Sequence, residues 1–345
     1  MNLCENDLEH FLDITEEHWL RNQEAKIFVT GGTGFLGKWI QETFAYACKQ
    51  LGLKAKMTVL TRDPLKAKYE MSDLSTFINY CEGDICSFPY TSGEFTHIIH
   101  GATPVQNLHH LYSDLNVFEI NYVGTKRLLD FATQKKIDRF LLLSSGAVYG
   151  PQPMNIDFIS ESFFGCYNSL SPKFAYSEGK KTSESLLKLY LKSGSISGSI
   201  ARCFSFVGPY IPLDDTFAIG QFLGRIIDGK SIEIKGSGQD VRSYMYTADL
   251  AAWLWIVLFK GQNGETYNIG SQEHITIRDL ASKINQYGPA TKQDIIYDAA
   301  SYIQKPSFYV PNVSKAKQDL GLDVRICLDD AIFRTFNWFQ KIYNK

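Results

Sequence analysis

The sequence predicts an α/β fold built on a doubly wound, mostly parallel sheet, with a smaller and discontinuous C-terminal domain. Three observations carry that expectation. Lys26 to Thr30 is a short apolar run with Lys26 as its only charge, and it ends in Gly31, Gly34 and Gly37 before an apolar-periodic segment bearing Trp39, Ile40, Phe44 and Ala47, so the chain reads strand, glycine turn, helix. Further short apolar runs recur at 57–60, 79–82, 96–100 and 140–143, several of them followed by stretches of helical period. The length of 345 residues and a hydrophobic fraction of 44% supply ample core.

The first 24 residues carry Glu5, Asp7, Glu9, Asp13, Glu16 and Glu17 on one side and Leu8, Phe11, Leu12 and Trp19 on another, as in an acidic amphipathic helix packed on the body rather than a secretory leader. The glycine turn follows. Without Cβ atoms the backbone there can bend tightly and bring helix N–H groups close to a pyrophosphate, which the helix dipole favours. The spacing is GxxGxxG, and in this strand-to-helix setting it points to a dinucleotide held by Gly31, Thr33, Gly34, Phe35, Leu36 and Gly37.

The second strand ends in Thr61, Arg62 and Asp63. A carboxylate at that place receives an adenosine ribose, whereas an arginine suits a 2′-phosphate; Arg62 therefore favours NADP, while Asp63 leaves NAD open. After the third strand, Asp84 and Ile85 are placed beside the adenine, with a turn cap as the alternative use of Asp84. Gly101, Ala102 and Thr103 close the fourth strand with small residues that let a cofactor lie against backbone.

Residues 114–133 have helical period, and His109 and His110 ahead of them read as surface residues rather than ligands. The fifth strand runs into Ser144-Ser145-Gly146-Ala147-Val148-Tyr149, residues 151–172 form a loop over the site, and Tyr176 opens a helix. One helical turn puts Tyr176 and Lys180 on one face, where an ammonium would lower the phenol's pKa.

Net charge is −2 with a pI near 6.4, so no basic field argues for nucleic acid or an anionic membrane. The seven cysteines are scattered without CxxC spacing, which suits free thiols in a reducing cytoplasm and no metal site.

Together, the GxxGxxG turn, the serine at a strand end and the YxxxK helix resemble the extended short-chain dehydrogenases, specifically the NAD(P)-dependent epimerase and dehydratase group that acts on nucleotide sugars. Residues 201–209, 238–250, 267–270 and 314–321 resemble further landmarks of that group. The resemblance implies a Rossmann-type domain over 25–204 with a return segment at 238–267, and a nucleotide-sugar-binding domain over 205–237 and 268–345. It implies Ser145 as the residue bonding the reacting oxygen, Tyr176 as acid/base and Lys180 on the nicotinamide ribose. Asn121 would steady the site and Cys203 would border the cofactor. Arg242 would pair with the substrate diphosphate, with an ion pair to Asp240 or Asp249 as its alternative, and Ser205 stands where many sugar epimerases have asparagine. Helices 114–133 and 176–192 would pair across a two-fold axis into a four-helix-bundle homodimer.

Departures from the group narrow the chemistry. Sugar dehydratases and nucleotide-sugar decarboxylases of the group carry carboxylates at the two positions after the catalytic serine or threonine; here stand Gly146 and Ala147, which cannot move a proton. Hydride transfer at the sugar 4-position remains. A 4-ketoreductase using NADPH is the leading expectation, a 4-epimerase with tightly held NAD the alternative, and a dinucleotide sensor without turnover the competing class.

Overall fold

Seven parallel strands form the central sheet of the computed structural model, which describes residues 3–104, 113–165, 171, 174–214, 216–288, 294–297 and 306–343. In chain order they are β1 (Lys26–Thr30), β2 (Lys56–Thr61), β3 (Ile78–Glu82), β4 (His97–His100), β5 (Arg139–Ser145), β6 (Gly198–Cys203) and, after shorter strands, β11 (Thr266–Ile269). Their spatial order is β3-β2-β1-β4-β5-β6-β11. Both faces are covered, so β5 is buried along nearly its whole length, as the run Phe-Leu-Leu-Leu requires. Alternate residues serve opposite layers. Ile27, Val29, Leu141 and Leu143 face one core, and Phe28, Ile98, Phe140 and Leu142 the other.

Helices α2 (Phe35–Leu51) and α8 (Thr247–Lys260) cover the first face. α8 is apolar on nearly all sides because helix α1 (Glu5–Arg21) lies over it, with Trp19 packed 4.6 Å from Trp255 and 4.9 Å from Phe259 between ring centroids. The N-terminal helix thus packs as its apolar face predicts. Not all of its acids are solvated, however. Asp7 is buried and accepts from Tyr246 Oη at 2.6 Å and from Arg334 at 2.7 Å, and His10 Nε2 lies 2.7 Å from Asp249 Oδ1. Asp249 also receives the N–H groups of Arg325 and Ile326 at 2.9 Å each, so α1 pins α8 to the C-terminal segment.

The other face carries α4 (Asp114–Glu119), α5 (Thr125–Lys135) and α6 (Ala175–Lys192). The helix expected at 114–133 is divided by a wide π turn at Ile120–Gly124. Such a turn adds a residue and re-aims a side chain, here Asn121. A short helix α3 (Pro64–Glu70) precedes β3.

The remaining elements are β7 (Phe206–Val207), α7 (Ala218–Ile227), β8 (Ile232–Ile234), β9 (Val241–Ser243), β10 (Met245–Tyr246), β12 (His274–Thr276), α9 (Ile277–Ile284), β13 (Ile295–Tyr297), β14 (Phe308–Tyr309), α10 (Ser314–Leu320) and α11 (Leu328–Tyr343). β9 is flanked by β12 and β14 in a three-stranded sheet. Among the described residues no helix is long and apolar enough to cross a membrane, and no cluster of metal-ligating side chains occurs.

Candidate active site

Strand order reverses between β1 and β4, which opens a crevice at the carboxyl ends of those strands, and the glycine turn sits at that point. Gly31 has φ of +75°, and a Cβ there would lie 2.5 Å from the Gly101 backbone. A Cβ on Gly37 would lie 2.2 Å from the Gly32 carbonyl oxygen. These two glycines are demanded by the fold. Gly34 is not: its φ is −79°, and the nearest atom to an added Cβ would be 3.5 Å away. What its bare Cα leaves open is the start of α2, which has no side-chain cap, so that end offers free N–H groups to an anion. The cradle fits a dinucleotide pyrophosphate. Gly34→Ala is accordingly expected to unfold in urea within about 0.5 kcal/mol of wild type yet lose binding of a reduced nicotinamide dinucleotide in a fluorescence titration. Gly37→Ala should lose roughly 1–3 kcal/mol of stability, because only backbone stands in the way and backbone cannot step aside.

At the β2 end, Asp63 caps α3 by accepting from Lys66 N–H at 2.9 Å. Arg62 beside it is exposed and the β2 terminus lies at the crevice edge. One oxygen of Asp84 accepts from Cys86 N–H at 2.8 Å, so this carboxylate does cap a turn, and Ile85 packs under the π turn against Gly124. Thr103 Oγ donates to Asn121 Oδ1 at 3.0 Å, while Asn121 Nδ2 donates to Val117 O at 2.8 Å. Gly179 on α6 allows this approach, since a Cβ there would sit 2.9 Å from the Asn121 side chain.

Ser145 ends β5 directly opposite Cys203 at the end of β6. Its Oγ accepts from Ala147 N–H at 3.1 Å, and the Tyr176 phenol lies close enough for the serine hydroxyl to act on its ionisation. Lys180 is buried, donates to the Leu143 carbonyl at 2.9 Å, and has its Nζ 6.0 Å from the centre of the Tyr176 ring. Ser145, Tyr176, Lys180 and Cys203 therefore meet at one place. One electrostatic expectation is not met. Burial pushes Tyr176 up to about 12, with the Ser145 hydrogen bond opposing it, and Lys180 does not pull it down. The reason is geometric: the ammonium is committed to the Leu143 carbonyl below the ring. Burial likewise lowers Lys180 to about 8 and raises the Cys203 thiol to about 12, so the thiol stays neutral.

Two features beside this cluster were not anticipated. Glu184, one turn beyond Lys180, forms a bidentate pair with Arg202 at 2.9 and 2.7 Å and accepts from Ser144 Oγ at 2.5 Å. Its spacing from Lys180 was the available signal. Tyr309 on β14 comes in from the C-terminal segment, a stretch with no period to reveal it, with its phenol oxygen 2.7 Å from where a Cβ on Gly146 would stand. Of the substrate candidates, Arg242 is half-buried, donates to Ser307 O at 3.0 Å and Ser307 Oγ at 2.9 Å, and lies 3.6 Å from Asp240. Ser205 accepts from Met245 N–H at 3.0 Å through its carbonyl, between β6 and β7. Phe222 lies in the core and the Tyr210 hydroxyl donates to Glu42. His109 and His110 lie outside the described residues.

The model of the NAD dependent epimerase/dehydratase family matches residues 27–270, which include both the glycine turn and the serine, tyrosine and lysine. The chain belongs to that family. Among curated relatives, UDP-glucuronic acid decarboxylase 1 of Xenopus tropicalis is 25% identical over 320 residues, spanning 92% of this chain and 72% of the relative. UDP-glucuronic acid decarboxylase 1 of Arabidopsis thaliana is 27% identical over 319 residues, 91% of this chain and 70% of the relative. Among solved structures, the UDP-glucose 4-epimerase of Thermotoga maritima has a TM-score of 0.77 at 21% identity, covering 92% of this chain and 99% of that one. A dTDP-glucose 4,6-dehydratase of Streptomyces venezuelae solved with NAD has a TM-score of 0.76 at 23% identity, covering 92% and 98%. The fold is thus that of the extended short-chain dehydrogenases.

Proposed function

We propose that this family member is an NADP-dependent oxidoreductase that transfers hydride at the 4-position of a nucleotide-activated sugar, acting as a 4-ketoreductase. The observation that carries the reading is at Gly146. A Cβ there would lie 2.7 Å from Tyr309 Oη and 2.7 Å from the Phe204 ring, so no carboxylate side chain fits beside Ser145, and Ala147 follows. Glu184 is engaged by Arg202 and Ser144. Elimination and decarboxylation of a keto sugar need a group to move a proton at the neighbouring carbon; carbonyl reduction does not. The names of the relatives supply the substrate class, a nucleoside diphosphate sugar, and the missing carboxylates separate this chain from the decarboxylation in those names.

In this reading Tyr176 Oη gives its proton to the sugar oxygen while Ser145 Oγ–H bonds the same oxygen, so negative charge never accumulates there. A bound nicotinamide supplies the hydride. Lys180 steadies the phenolate that remains until solvent returns the proton. Arg242, released from Asp240, pairs with the diphosphate; a partly exposed ion pair at 3.6 Å is worth little and is readily exchanged for a doubly charged partner. Arg62 receives the 2′-phosphate, a role favoured by the commitment of Asp63 to its helix cap. The six described cysteines are free, which suits work in the cytoplasm.

Two chains would pair through the faces of α4, the π turn and α6, where Leu115, Tyr122, Val123 and Leu189 are exposed. Sedimentation should show a dimer at micromolar concentration, and a monomer alone would reject the pairing. The second reading, a 4-epimerase with tightly held NAD, is favoured by the likeness to an epimerase structure. A screen of NADPH against NADH, crossed with 4-keto and 4-hydroxy nucleotide sugars, separates the two. One NADPH consumed per sugar supports reduction, and product without net consumption supports epimerisation.

A further inference from the structure

Two side chains hold the turn between β1 and α2 from its inner side. The carbonyl of Gly32 points into a face of α2, where a Cβ on Gly37 would lie 2.2 Å from its oxygen, and one helical turn further along that face Gln41 Nε2 meets the same oxygen at 2.8 Å. Gln41 is fully buried, and its amide oxygen lies 2.6 Å from the phenol of Tyr80 on β3. The direction of both bonds is forced. A carbonyl only accepts, so the amide must turn its NH2 group to Gly32; its oxygen then faces Tyr80, and the phenol must donate. Burial, with Glu70 nearby, raises Tyr80 to about 12, so that proton is present throughout the neutral range.

The consequence lies on the outer side of the same peptide. Gly32 C=O and Thr33 N–H belong to one planar trans unit and point in opposite directions. With the carbonyl drawn to Gln41, the Thr33 N–H is turned to the open side of the turn, where Thr33 and Gly34 are exposed beside the uncapped start of α2. It finds no acceptor among the described residues. Little in the turn itself keeps the peptide this way round. Gly32 has no side chain to resist rotation, because Val59 fills the place of one, its Cγ1 2.5 Å from where a Cβ would be, and a rotated unit would present a carbonyl to the anion. We propose that Gln41 and Tyr80 are positioning residues of the dinucleotide cradle: the phenol fixes the amide, the amide fixes the Gly32 carbonyl, and the Thr33 N–H is thereby held outward as a donor to the pyrophosphate. The inference deepens the reading of the glycine turn as a dinucleotide site and rests on it. The contact serves the diphosphate that NADPH, NADH and ADP share and is indifferent to the 2′-phosphate assigned to Arg62.

The test uses the full chain and needs no sugar. Gln41→Met keeps the volume and removes the donor; Kd for NADPH, NADH and ADP should each rise about tenfold to hundredfold, the span of one hydrogen bond to a charged group, with their ratios kept within about twofold. Binding of adenosine, which has no phosphate, should not change. Tyr80→Phe keeps the ring and frees the amide to turn over, with a rise of about threefold, and in the Gln41→Met background it should add nothing. A merely structural contact would not move the Thr33 amide in proton–nitrogen NMR spectra. On binding ADP that proton should shift downfield and exchange more slowly with solvent in wild type, and both effects should vanish in Gln41→Met while the amides of Phe35 and Leu36 still respond. Unchanged affinity in Gln41→Met, or in Tyr80→Phe where Gln41→Met does not fold, overturns the proposal. So does an equal loss for adenosine, or a wild-type Thr33 amide indifferent to ADP. A protein that binds a dinucleotide but reduces no nucleotide sugar would count against the reaction assigned above and leave this result standing.

Discussion

Tyr176→Phe should lower kcat by about a hundredfold to ten-thousandfold while NADPH binding in a fluorescence titration stays near wild type. The range is that of a lost general acid in proton transfer, and the ring itself is retained. The phenol sits where three independent features converge: the end of β5 at Ser145, the face of α6 that carries Lys180, and the π turn that brings Asn121 against Gly179. A side chain whose loss left turnover intact in so prepared a place would have to be structural. A pure dinucleotide sensor makes that opposite forecast, with an unchanged ligand response. The direction in which KM moves is also informative. If the phenol bonds the sugar oxygen more strongly as charge develops, the loss falls on kcat and little on KM.

Glu184→Ala should be the most damaging single truncation outside the cluster itself. It leaves the Arg202 guanidinium with its carboxylate gone, 4.6 Å over the Tyr149 ring and with only 16% of its side chain exposed. Removing one member of a buried pair costs roughly 3–5 kcal/mol, because the survivor keeps its desolvation penalty and loses its partner. Glu184→Gln should cost less, since the amide oxygen can still accept from Arg202 and Ser144. Pairing Glu184→Ala with Arg202→Met should recover much of the stability, measured as the urea midpoint at constant slope. Activity should not recover with it. Ser144 adjoins Ser145 and Glu184 lies one turn from Lys180, so the carboxylate also fixes the floor on which the reacting groups stand.

Why some of this was legible in the sequence and some was not follows from where the interactions lie along the chain. The glycine turn, the strands and the Tyr176–Lys180 face are local patterns, and period and spacing reveal local patterns directly. The division of 114–133 by a π turn adds a residue without changing composition, so no apolar period marks it. The burial of Asp7 is another kind of case. Six acids in the first helix read as a solvated face, and only the fold brings Tyr246 and Arg334 to one of them. Tyr309 is the sharpest example. It lies 133 residues beyond Tyr176 in the chain, in a segment with no period, and its place beside Gly146 exists only because β14 pairs with β9. The absence at Gly146 was visible as an absence; that a second phenol fills the space was not. The pKa of Tyr176 shows a third limit, since helical spacing set Lys180 near the phenol but could not show the ammonium held by the Leu143 carbonyl.

The site moves a proton on oxygen, in the proposed reduction, and leaves the neighbouring carbons alone. Turnover of a 4-keto nucleotide sugar with NADPH in deuterium oxide, followed by NMR of the product sugar, tests it most directly. The hydrogen newly bound to carbon should come from NADPH alone, with no deuterium gained at any ring carbon relative to a control lacking the protein. Solvent deuterium bound to a carbon next to the carbonyl, or release of carbon dioxide from a uronic acid substrate, would contradict it.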